Sequence, residues 1–169
     1  MRCMPIQLSD GWYAAPSFRF FVLLELHRHL SAEGIEYAAS SMMALANLLS
    51  HPELGTQRIE GDGRLRSAKD LGRVLALARF AGVDALDAWA STWSDALKRS
   101  FPDDWQQLAR SAGDGLGELL ASDLALEEAR QFNDVGLLSG KNVSAEMLRA
   151  TGLRLLQDVL APLAEQAGS

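Results

Sequence analysis

Asp84-Ala85-Leu86-Asp87-Ala88-Trp89-Ala90-Ser91-Thr92-Trp93-Ser94-Asp95-Ala96-Leu97 carries the clearest periodicity in the chain. Its largest apolar residues, Leu86, Trp89, Trp93 and Leu97, recur at intervals of three and four positions. That step returns to one face of an α-helix, whereas a half-buried strand alternates every second residue. Asp84 is placed to cap the helix. Phe101-Pro102 ends it, because the residue before a proline is pushed out of helical backbone.

Working outward, the same period recurs on both sides. Upstream, Leu71, Val74, Leu75 and Ala78 form an apolar face, with Ser67 and Asp70 in capping-box spacing before it and Gly82 after it. A helix over about Tyr37 to Ser50 carries Met42, Leu45, Leu48 and Leu49 and stops at His51-Pro52. Before it, Pro16 is placed to open a helix through Phe18, Val22, Leu26 and Leu30 that Gly34 closes. Downstream, helices are expected over about 103–112, 116–121 and 124–132. Ser144 then caps a last one carrying Met147, Leu148, Leu155, Leu156 and Val159, which Pro162 kinks or ends. Residues 57–66 alternate polar and apolar around Gly61-Asp62-Gly63, the one hairpin pattern, near residues 56–66. Residues 1–15, with Pro5, Gly11, Trp12 and Tyr13, read as an irregular N-terminal arm or short strand. The expectation is a mainly α fold: a helical bundle of six to seven helices with one small β-hairpin, in a single domain over 1–169.

At 169 residues and 48% hydrophobic the chain can bury one continuous core, and the helical spacing of its apolar residues excludes the disordered class. The longest nearly uncharged apolar run, Phe20 to Leu24, is far short of the roughly 20 residues a membrane span needs, so no membrane partner is expected. The first residues carry Arg2 but no apolar stretch with a small-residue cleavage site, as a secretory leader would. Cys3 is the only cysteine and has no disulfide partner within the chain. A reducing, cytoplasmic setting follows as the expectation.

Charge is uneven. Net charge is −6, yet residues 58–79 hold six basic residues against three acids, while residues 103–134 hold eight acids against two basic residues. Arg64 and Arg66 fall on one face of the expected hairpin, which leads into a helix carrying Lys69 and Arg73 four residues apart. Guanidinium and ammonium groups would there converge on the free N–H groups of a helix start, an arrangement that suits phosphate. Arg64, Arg66, Lys69 and Arg73 are therefore the candidate binding residues for a nucleotide or nucleic acid. The competing reading has these cations neutralised by Asp70 and Glu60 or by the acidic segment. The acidic segment 103–134 is itself the candidate surface for a protein partner.

Catalytic constellations are missing. Gly136-Leu137-Leu138-Ser139-Gly140-Lys141-Asn142 has the wrong spacing for a phosphate loop, and neither Gly-x-Ser-x-Gly nor His-Glu-x-x-His occurs. His27 and His29 would point to opposite sides of a helix, and one Cys with three His does not make an ordinary zinc site. No metal and no cofactor are expected. Trp89 and Trp93 could stack a nucleobase, but their stripe is that of a core. The carboxylate pairs Asp103-Asp104 and Glu127-Glu128 suit solvated charge at helix starts and faces better than acid–base catalysis.

Two stretches resemble the accessory helical half of nucleotidyltransferase-superfamily proteins, polymerase-β-like and found in bacterial toxin and defence systems. They are Pro16-Ser17-Phe18 with Leu24-Glu25-Leu26-His27, and Arg66-Ser67-Ala68-Lys69-Asp70-Leu71, within about residues 16–80. Glu25 stands where that family has Lys. The family's catalytic Gly-Ser turn and Asp-x-Asp carboxylates are missing, Gly168-Ser169 being the one Gly-Ser in the chain. The resemblance implies an accessory piece, a partner subunit or an enzyme fragment, with Lys69 and Asp70 near a nucleotide. Asn47-Leu48-Leu49-Ser50-His51 also resembles part of a helical ribonuclease motif, with Ala46 where the catalytic Arg belongs. The function expected is that of a non-catalytic helical accessory or binding domain, the alternatives being an antitoxin-like protein partner or a nucleotidyltransferase-related fragment.

Overall fold

The structure is a computed structural model that describes residues 3–8, 11–16, 19–54 and 66–168, with side chains described for 19–50, 67–82 and 84–168. It is mainly helical with small antiparallel hairpins. The hairpin expected near residues 56–66, with Arg64, falls outside the described residues apart from Arg66. Hairpins lie elsewhere. Strands β1 (Cys3–Leu8) and β2 (Gly11–Pro16) pair antiparallel, Leu8 opposite Gly11 and Cys3 opposite Pro16, where an irregular arm or short strand was expected.

The helix expected from Pro16 to Gly34 is not formed. One helical turn, α1 (Phe21–Leu24), is followed by β3 (Arg28–Leu30) and β4 (Glu36–Ala38). The apolar run Phe20–Leu24 can be phased more than one way. The turn buries Phe20 and Leu23 and leaves Phe21 and Val22 exposed, so of the expected row Val22, Leu26 and Leu30 only Leu26 packs, partly buried, against the core. Ser31 then closes the loop: its N–H donates to the Ile35 carbonyl at 2.9 Å and its hydroxyl accepts from the Ile35 N–H at 3.2 Å, a local alternative to helix. Gly34 supplies the positive φ of 79° that this turn requires. Across the strands Arg28 meets Glu36 at 2.5 Å, and the His29 and Tyr37 rings lie 5.5 Å apart.

Helix α2 (Ser40–Leu54) runs on through His51-Pro52, where it was expected to stop, and the regular elements described after it are helices. Helix α3 (Arg66–Ala81) is the central element, covered by α2 on one side and by α8 (Asp123–Asp134) on another. Its expected face, Leu71, Val74, Leu75 and Ala78, is buried. Gly72, Ala76 and Leu77 are buried too, since α8 covers a second side. The α3–α8 crossing is close: a Cβ on Gly72 would lie 2.8 Å from the Ala129 carbonyl oxygen, and the buried Asn133 amide donates to the Gly72 carbonyl at 2.9 Å. Helix α3 begins at Arg66, so Ser67 sits buried inside its first turn and does not cap it.

The stretch 84–97 is helical but broken once, into α4 (Val83–Asp87) and α5 (Trp89–Ser100). At the junction the Ala88 N–H bonds the Ala85 carbonyl at 3.3 Å, three residues back, and the Ala88 carbonyl accepts from the Thr92 N–H at 3.1 Å and from the Ser91 and Thr92 hydroxyls at 3.0 and 2.8 Å. Asp84 lies in the first turn of α4, and Gly82 occupies the cap. Leu86, Trp89, Trp93 and Leu97 are all buried as the spacing predicts, and the Trp93 indole N–H donates to the Ser41 carbonyl at 3.1 Å, joining α5 to α2.

Beyond Phe101 come α6 (Trp105–Ser111), α7 (Leu116–Ala121) and α8, the last capped by Ser122, whose hydroxyl accepts from the Ala125 N–H. Ser144 caps α9 (Ala145–Arg154) as expected, its hydroxyl accepting from the Met147 N–H. The chain then widens into a π-turn (Leu155–Leu160) and resumes as α10 (Ala161–Gln166) with Pro162 in its first turn. Proline has no N–H for the i−4 carbonyl and its ring crowds that oxygen. A wider turn before it accommodates both effects without a break. Among the described residues no helix is long and apolar enough to cross a membrane.

Candidate phosphate-binding corner

Arg66, Lys69 and Arg73 are spaced three and four residues apart from the first residue of α3, which places them on one face of that helix. Arg64 lies outside the described residues, and of Arg66 only the backbone position is described. The first turn of α3 contains no acidic residue. Cations in the first turn, here Arg66 and Lys69, oppose the backbone dipole by about 0.3–1 kcal/mol each, so the local stability of α3 does not account for those two.

Arg73 is the best-defined member. Its side chain is 39% exposed, its Nη1 donates to Asn47 Oδ1 at 3.1 Å, and Asp70 Oδ1 lies 3.8 Å away. Asn47 is in turn held by its own amide, which donates to the Met43 carbonyl at 2.6 Å. Two helices thus fix the guanidinium: α3 through Asp70 and α2 through Asn47. Asp70 is buried, so its charge is turned inward, while Lys69 is partly exposed. The Arg73–Asp70 contact realises part of the neutralisation weighed above. The Asn47 contact, by contrast, orients Arg73 without cancelling its charge. Asn47 stands out in the sequence only within the ribonuclease-like stretch, and its partnership with Arg73 has no local signal, since the two lie 26 positions apart.

Four of the eight acids of the acidic segment pair with the chain's own arginines. Asp104 pairs with Arg19 at 2.5 Å, Asp123 pairs with Arg149, and Arg130 bridges Glu127 and Asp134 within α8. Hydrogen bonds from Arg130 and then from Gln131 hold the Glu127 carboxyl down from 4.5 to about 2. A depressed carboxylate pKa favours the folded state above the unfolded pKa, and that contribution is lost as pH falls through the folded one. Glu127→Gln is therefore expected to lower the melting temperature at neutral pH, with an offset from the parent that shrinks as pH drops from 4.5 toward about 2. Thermal melts followed by circular dichroism across that window check it. An offset independent of pH would count against the pairing.

The tryptophans of the described helices belong to the core or pack against it. Trp89 and Trp93 are buried with ring centroids 5.3 Å apart, and Trp105, partly buried, lies 4.7 Å under the Lys98 ammonium. His27 and His29 are exposed. Among the described residues no three His, Cys, Asp or Glu side chains gather where a metal could be held. Set against family models, curated proteins and solved structures, the chain matches none of them.

Proposed function

We propose that this chain is a non-catalytic helical accessory module that takes the phosphate oxygens of a nucleotide or nucleic acid at the corner formed by Arg64, Arg66, Lys69 and Arg73. The observation that supports this most is the placement of Arg73. Two turns into α3 and on the same face as Lys69 and Arg66, it stays 39% exposed although Asp70 lies 3.8 Å away, because a neutral amide from a neighbouring helix holds it, and the first turn of α3 carries no acid. Backbone N–H groups, dipole and guanidinium then act on one anion. The resemblance to the accessory half of nucleotidyltransferases is consistent with this: such a module would steady a nucleotide whose reacting groups lie on another polypeptide. A cytoplasmic setting belongs to the same reading.

The test is binding of a fluorescent single-stranded oligonucleotide and of a nucleoside triphosphate at several salt concentrations, for the parent and for Lys69→Ala with Arg73→Ala. Each lost phosphate contact should weaken binding across sequences and reduce the slope of log affinity against log salt by about 1. Parent and variant binding alike, or no binding to either probe at low salt, would overturn the reading. Asn47→Ala should weaken binding less than Arg73→Ala, since it frees the guanidinium without removing it.

A further inference from the structure

A second cleft lies at the opposite end of α3, between Arg79, the start of α4 and the outer face of α9, with a volume of about 340 Å³. Leu86, Met147 and Ala150 give it an apolar wall, and Arg79, Thr151 and Arg154 supply its polar groups. Arg79 is partly buried, and its hydrogen bond among the described residues goes to the neutral Thr151 hydroxyl, at 3.3 Å. That hydroxyl in turn donates to the Met147 carbonyl at 2.9 Å. A guanidinium has five N–H donors, and no carboxylate among the described residues pairs with this one. The last turn of α3 favours a cation there, which explains the charge. The dipole does not explain why the guanidinium reaches across the cleft to α9. Arg154 stands on the same cleft, its Nε donating to Asp158 one turn on, at 3.2 Å. In a chain of net charge −6, a partly desolvated arginine beside an apolar wall is complementary to a small amphipathic anion.

We infer that this cleft binds a medium-chain alkyl carboxylate, its apolar body against Leu86, Met147 and Ala150 and its carboxylate on the Arg79 guanidinium, with Arg154 as the second cation. The planar two-oxygen acceptor matches the guanidinium fork. The site lies about 20 Å along α3 from Arg66 at 1.5 Å per residue, so it stands or falls independently of the phosphate-binding corner.

Octanoate is the probe, titrated into the ¹⁵N-labelled full chain, with octan-1-ol as the apolar body alone and acetate as the charge alone. Saturable shifts centred on Arg79, Met147 and Thr151 are expected with octanoate. Octanol and acetate should each bind more weakly by about tenfold or more, as should octanoate with Arg79→Gln. Ala150→Leu, at an exposed helical position, fills the cleft and should abolish binding while the circular dichroism spectrum is retained. Octanol binding as tightly as octanoate, undiminished affinity in Arg79→Gln or Ala150→Leu, or no saturable binding would overturn the proposal.

Discussion

Replacing Trp93 with alanine is expected to cost about 3–5 kcal/mol of folding stability, the range for truncating a fully buried aromatic residue. The side chain has no exposure, packs on Trp89 and lies in the core shared by α2, α5 and the C-terminal helices. Truncation leaves a cavity, and it also leaves the Ser41 carbonyl without the indole N–H that links α5 to α2. Trp93→Phe separates these effects: it keeps most of the burial, loses the hydrogen bond and should cost about 1–3 kcal/mol. Urea denaturation of both variants measures the difference. A Trp93→Ala variant as stable as the parent would mean that the core is not organised around this residue.

Gly72→Leu is the second large effect expected, at about 3 kcal/mol or more, because overpacking here meets backbone and not a movable side chain. The first added carbon would already press on the Ala129 carbonyl, so α3 and α8 would have to separate and the Asn133 amide would lose the Gly72 carbonyl. Gly72→Ala is the sharper comparison. In an exposed helix that change would stabilise by about 1 kcal/mol, so a net loss in urea denaturation isolates the packing cost. On the proposed function, the same substitution should also weaken oligonucleotide binding, since it displaces the helix that carries Lys69 and Arg73.

The legible parts of this fold are those in which a short-range pattern coincides with burial. The row Leu86, Trp89, Trp93 and Leu97, the face Leu71, Val74, Leu75 and Ala78, and the Ser144 cap are each set by residues within two or three turns of one another. The break at Ala88 was hidden because it interrupts an otherwise continuous helical pattern: the Ala88 N–H bonds the Ala85 carbonyl three residues back, and no residue type marks the place. The β3–β4 hairpin was hidden because the run Phe20–Leu24 is apolar at nearly every position, and its phase is set by what lies opposite it. The candidate corner was legible as a charge pattern, since Lys69 and Arg73 follow from helical spacing alone. What holds Arg73 was not: Asn47 comes from another helix, as Thr151 does for Arg79, and such contacts exist only once α2, α3 and α9 have packed.

The π-turn before Pro162 has a consequence for comparing this chain with others. Leu155, Val159, Leu163 and Ala167 are buried at a constant spacing of four. In a uniform α-helix such a row drifts about 40° around the axis at each step, and it would soon leave the core. The widened turn takes up part of that drift and returns Leu163 and Ala167 to the interior. In alignment terms it is one added residue carried inside a helix, so a homologue lacking it would show a single gap between 155 and 162, with no loop there to mark the place.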